Sequence, residues 1–120
     1  MYELAHIAIV IDDIDKTKKF YCNVLDCKFH SEDENDRLKF LYLKSGEQII
    51  EFLKYKQPFE KRERGPIDHI AFKVEDMEKA IEKAKEYGGV MLFDEPRKHN
   101  DTRIMFFKGP NGERIEFIEK

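Results

Sequence analysis

One arrangement of residues is written twice in this chain, and it restricts the fold more than any other feature. Ala5-His6-Ile7-Ala8-Ile9 near the start returns as Asp68-His69-Ile70-Ala71-Phe72, and Ile50-Glu51-Phe52-Leu53 returns as Ile115-Glu116-Phe117-Ile118. Both histidine phrases sit in β-type runs that are apolar on both faces, which suits a strand covered by a helix on one side and lining a cleft on the other. Side chains alternate along a strand, so Ile7, Ile9 and Ile11 share the covered face, while Leu4, His6, Ala8 and Val10 share the other.

The intervening order repeats as well. A strand over 3–11 is followed by a helix capped by Asp12 or Asp13, with Ile14, Tyr21 and Leu25 on its apolar stripe and Phe20 and Val24 beside it. Asp26 ends that helix in a turn conformation that aspartate tolerates. Strands are expected near 27–31, 37–43 and 47–54, with Ser31-Glu32-Asp33-Glu34-Asn35-Asp36 and Ser45-Gly46 as turns. Residues 55–66 lose periodicity and read as a linker whose Lys61, Arg62 and Arg64 face solvent.

The pattern then restarts. A strand over 67–74 leads to Asp76 as N-cap and to a helix with the stripe Met77, Ala80, Ile81, Ala84 and Tyr87, stopped by Gly88-Gly89. Strands follow near 90–93, 102–108 and 113–118, with Gly109-Pro110-Asn111-Gly112 as the last hairpin turn. The expectation is an α+β fold: one domain, 1–120, built of two tandem βαβββ modules (1–54 and 67–120) that pair their open faces around a shared cleft.

Composition excludes several classes. A length of 120 residues with 41% hydrophobic and 39% charged side chains fits one soluble domain. A formal charge of -3 gives no basic footprint for nucleic acid. No apolar run approaches the ~18 residues of a membrane span, and no secretory leader is evident, so a cytoplasmic protein is expected. Cys22 and Cys27 match neither a CxxC pair nor a zinc ribbon and are expected to be reduced.

The recurring ionisable residues carry the chemistry. His6, Glu51, His69 and Glu116 offer two imidazoles and two carboxylates, a nitrogen and oxygen set suited to one divalent zinc, nickel, cobalt, manganese or iron ion. Four protein donors in an octahedral shell leave two adjacent positions for a small-molecule substrate with neighbouring oxygens. Proton transfer beside a carbonyl is the natural reaction, with Glu116 or Glu51 as base. Arg97, Lys98, His99 and Arg103 would meet an anionic substrate if their segment closes as a lid; otherwise they form a solvated loop. Phe40, Tyr42, Phe106 and Phe107 either floor the cleft or belong to the core.

With His6-Ile7-Ala8 and Asp13, Phe20-Tyr21 and Leu25, Glu51, Asp68-His69-Ile70-Ala71-Phe72 and Val74, and Gly109-Pro110-Asn111-Gly112 before Ile115-Glu116, the chain resembles the vicinal oxygen chelate superfamily. The resemblance covers nearly the whole chain. It implies paired βαβββ modules, within one chain or across a homodimer, and metal ligands at His6, Glu51, His69 and Glu116. A His/Glu/His/Glu set is similar to that of glyoxalase I and implies a lyase or isomerase acting on a hemithioacetal-type substrate. Val10 departs from the arginine that glutathione-using glyoxalases carry at this place. Epimerases, antibiotic-modifying thiol transferases and non-catalytic resistance proteins that bind small molecules share the fold and stand as alternatives.

Overall fold

The computed structural model describes residues 5–58, 67, 69–99 and 101–120. Two compact units divide the chain, Met1–Lys61 and Arg62–Lys120, and each has its own sheet and its own helix. The expected linker positions 59–66, including Lys61, Arg62 and Arg64, lie outside the described residues, as do residues 1–4 and Asp68.

In the first unit β1 (His6–Val10) leads into α1 (Ile14–Val24), then β2 (Lys28–Glu34), β3 (Leu38–Ser45) and β4 (Gln48–Tyr55). The sheet order is β1-β4-β3-β2, with β1 parallel to β4 and the remaining pairs antiparallel. The Asp13 carboxylate accepts from the Lys16 amide and caps α1 at 2.9 Å. Asp26 follows the helix at φ 55, a left-handed turn without glycine. Thr17, Phe20 and Tyr21 of the helix are buried, as are Ile11, Leu41, Leu43, Ile50 and Phe52 of the same unit. The Tyr21 ring meets Phe52 edge-on, with centroids 4.7 Å apart. Full burial of each such large apolar side chain is worth about 1.5–3 kcal/mol.

The acidic run expected as a turn is mostly strand. Ser31 to Glu34 continue β2, paired with Leu38's strand, and only the short bend after Glu34 turns the chain. Charged side chains on an edge strand need no apolar alternation, because they face water and discourage further strand pairing.

The second unit runs β5 (Ile70–Val74), α2 (Met77–Glu86), β6 (Val90–Met91), β7 (Arg97–His99), β8 (Thr102–Lys108) and β9 (Arg114–Glu119). Its order is β5-β9-β8-β6, with β7 also pairing β8. Asp76 caps α2 through the Lys79 amide at 3.1 Å. Met77 and Ala84 are buried with Met105, Phe107, Ile115 and Phe117. The segment expected as a lid or loop is instead the short strand β7, with Arg97 opposite Ile104 and His99 opposite Thr102.

Both cysteines are free thiols. Burial, reinforced by Cys22 and Asp26 nearby, pushes the Cys27 thiol up to about 12. Among the described residues, no helix is long and apolar enough to cross a membrane.

Candidate metal centre

Strand register brings the expected donors together in pairs. In the first unit Ala8 lies opposite Glu51 across the parallel β1–β4 ladder, and His6, two residues back on the same face, turns its ring toward the carboxylate. His6 Nε2 stands 3.7 Å from Glu51 Oε1. In the second unit Ala71 lies opposite Glu116, and His69 Nε2 stands 3.3 Å from Glu116 Oε1. All four side chains lie on the sheet face turned away from the helix of their own unit, as strand parity requires.

Burial differs between the members of each pair. The glutamates are only 15% and 12% exposed, whereas the histidines are 45% and 34% exposed. A carboxylate this far from water needs a compensating partner, and each has an imidazole beside it. Ala8 and Ala71 are exposed and small, leaving room over the strand between them and the glutamate.

The chemistry of each pair fits a divalent metal. One ring nitrogen and one carboxylate oxygen at this separation match two donors that share an ion with bonds of about 2.0–2.2 Å. Among the described residues no group of three or more histidine, cysteine or acidic side chains is gathered. Each unit therefore holds one His–Glu pair, His6 with Glu51 and His69 with Glu116.

The surroundings of the pairs are not alike. In the first unit Tyr42 is the cross-strand neighbour of Glu51, which places its phenol, the side-chain donor at that register position, beside that carboxylate. Burial, then the neighbouring Glu51 carboxylate as acceptor and as negative charge, raises the Tyr42 phenol above its ordinary range. Phe40 stacks on the Tyr42 ring at 6.2 Å, inclined by 13°. In the second unit the same register position is Phe106, opposite Glu116. Its ring meets His69 edge-on at 4.9 Å and Phe93 at 5.9 Å.

The other charged candidates separate by face. Arg97 lies on the face of Ile104 and Phe106, with its guanidinium 3.8 Å from the Phe93 ring centroid. Arg103 lies on the opposite face and is bound to Glu78 and Glu119, so its charge is engaged in holding β8, β9 and α2 together. Lys98, paired with Arg103, shares that side, while His99 is on the Arg97 side. Phe107 is core, whereas Phe40, Tyr42 and Phe106 line the face that bears the donors.

Tyr42 is the neighbour that sequence reasoning passed over, having placed it only as cleft floor or core. The signal was present. A two-residue turn at Gly46-Glu47, with Gly46 at φ 58, pairs Ser45 with Gln48, and counting back along the hairpin sets Tyr42 opposite Glu51.

The chain matches the family model described as Glyoxalase/Bleomycin resistance protein/Dioxygenase superfamily over residues 3–117. It is 33% identical over 124 residues to a lactoylglutathione lyase from Haemophilus influenzae, covering 98% of this chain and 92% of that one. A glyoxalase family protein from Enterococcus faecalis superposes with a TM-score of 0.79 at 30% identity, over 98% of this chain and 97% of the other. The same fold, at a TM-score of 0.78 and 20% identity, occurs in a point mutant of a fosfomycin resistance protein from Listeria monocytogenes complexed with Mn(II) and 1S,2S-dihydroxypropylphosphonic acid. That alignment covers 98% of this chain and 90% of the Listeria protein.

Proposed function

This chain belongs to the glyoxalase/bleomycin resistance protein/dioxygenase superfamily, and we propose from that premise that it is a metal-dependent lyase or isomerase of the glyoxalase I type. The observation that carries the reading is the twice-built pair of a histidine beside a shielded glutamate, at 3.7 Å and 3.3 Å. His6, Glu51, His69 and Glu116 would together hold one divalent ion. When bound, that ion supplies a Lewis acid for two neighbouring substrate oxygens and makes the adjacent C–H easier to ionise.

The chain's own residues do the rest. A glutamate takes the proton from the hydroxyl-bearing carbon of the substrate and returns it to the former carbonyl carbon. The hydroxyl proton passes between the two oxygens, so substrate and product are isomers and no co-reactant is consumed. Glu116 is the proposed proton carrier. Ala8 and Ala71 keep side-chain bulk away from the reacting carbons.

The relatedness to lactoylglutathione lyases at about 30% identity supports a hemithioacetal-type substrate. Val10 favours a carrier other than glutathione, because an apolar side chain at that place offers no countercharge to a carboxylate. It therefore keeps a second reading in view, an epimerase or an antibiotic-directed thiol transferase of the same superfamily. A non-catalytic binding protein has less support, since it would have no use for two His–Glu pairs. The reading includes a cytoplasmic homodimer of a single 1–120 domain with modules 1–54 and 67–120, taking a small-molecule substrate and no nucleic acid or membrane.

Equilibrium dialysis against nickel, zinc, cobalt and manganese is the direct test. Stoichiometric uptake of one ion per paired site is expected, and its absence for all four metals would overturn the mechanism. Turnover of methylglyoxal with several thiols, run beside an epimerase assay, separates the two enzymatic readings. His69→Ala should abolish turnover while leaving the far-ultraviolet circular dichroism spectrum unchanged.

A further inference from the structure

We propose that Tyr42 is a positioning residue that fixes Glu51 as a stationary ligand and thereby leaves Glu116, opposite Phe106, as the glutamate free to move a proton. The inference rests on the metal-dependent reading and deepens it, because the internal repeat alone makes the two glutamates interchangeable.

The two units provide their own control. Glu51 and Glu116 occupy the same place in the register, each opposite an alanine on one side and an aromatic residue on the other. The aromatic residue is tyrosine in the first unit and phenylalanine in the second, a difference of one hydroxyl at that register position. Two residues before each glutamate the same face carries Ile49 in the first unit and Arg114 in the second, the Arg114 guanidinium 5.4 Å from the Phe106 ring centroid. The register sets the side chain bearing the Tyr42 hydroxyl directly across from Glu51, where it can donate to the carboxylate, and the Phe40 ring lies nearly parallel to the phenol ring beside it. A hydrogen bond to a charged acceptor is among the stronger ones, and its loss would leave a half-buried phenol without its acceptor. Glu51 therefore stands between the phenol across the ladder and His6, whose Nε2 is 3.7 Å from Oε1, and moving it disturbs both neighbours.

Phe106 acts differently. Its ring cannot donate to Glu116; instead it packs edge-on against His69 and is backed by Phe93. The imidazole of the second pair is thus located by rings, while its carboxylate is not tied by the cross-strand neighbour. A residue that must leave one acceptor, take a proton and return needs this freedom.

Exchange of the single hydroxyl tests the assignment in the full-length, metal-loaded protein. Tyr42→Phe should weaken nickel affinity ~10-fold, the usual scale for losing a partner that orients a ligand. Phe106→Tyr should leave nickel affinity within about twofold and lower kcat ~10-fold at unchanged KM, because the new phenol would tie the moving carboxylate. A merely structural tyrosine would change the melting temperature without this split between affinity and kcat. If both variants fold, load and turn over like the unmodified chain, the positioning role is overturned while the metal-dependent reading stands. If the unmodified chain takes up no metal, the underlying reading fails and this assignment fails with it.

Discussion

Arg103 shows how one residue's neighbours decide between recognition and architecture. Its guanidinium reaches Glu119 Oε1 at 2.9 Å through Nε and Oε2 at 2.8 Å through Nη2, and Glu78 through both terminal nitrogens. The sequence placed it among cations awaiting an anionic substrate, since the two acids it binds lie 25 and 16 residues away and nothing local announces them. The hydrogen bonds from Arg103 hold the Glu119 carboxyl below its ordinary value of 4.5, with partial opposition from burial and support from the Met77 amide. A carboxyl depressed in the folded state stabilises the fold above its unfolded pKa and loses that contribution as pH falls through the lower folded value. Stability should therefore decline from about pH 4.5 downward, in part through Glu119. Arg103→Gln should flatten this part of the profile and lower stability at pH 7, an effect kept modest by solvent screening. Urea midpoints at pH 7, 5, 4 and 3 measure both effects, and equal slopes for the two proteins would contradict the linkage.

Among the elements, the end of α2 separates two uses of glycine that a sequence pattern merges into one stop signal. Gly88 stands at φ 92 with open space around the position a Cβ would take, so it supplies backbone conformation. Gly89 has no such φ, yet a Cβ there would lie 2.9 Å from the Ala84 carbonyl oxygen, the acceptor of its own amide. Space is what it supplies. Gly89→Ala should therefore cost about 1–3 kcal/mol, the range for forced overpacking, measured as a shift in urea midpoint at unchanged slope. Caps and stops of this kind were legible because their chemistry is local: Asp13, Asp26, Asp76 and Gly88 each act within a few residues of themselves. Strand ends were less so. Lys28–Glu34 extends into an acidic run, and Arg97–His99 consists wholly of basic residues, because edge positions owe their strand state to the partner's hydrogen bonds rather than to apolar alternation.

At the scale of the molecule, the repeat made the donors legible and the register made their surroundings visible. His6, Glu51, His69 and Glu116 stood out as recurring polar residues in apolar frames, but the difference between Tyr42 and Phe106 acquires meaning only once each ring is known to face a glutamate. One His–Glu pair occurs in each unit, so the proposed four-ligand site of a homodimer has two ways to be completed. If each site joins the first unit of one chain to the second unit of its partner, a His6→Ala chain paired with a Glu116→Ala chain places both lesions in one site and leaves the other whole. Random pairing of equal amounts would make about half the dimers mixed, each with one intact site of two, so activity should return to roughly one quarter of the unmodified level. Sites completed within a chain would give none, because every site would then carry one lesion. Unfolding and refolding the two variants together, against each refolded alone, distinguishes the outcomes: recovery only in the mixture assigns each site to two chains, and no recovery assigns it to one.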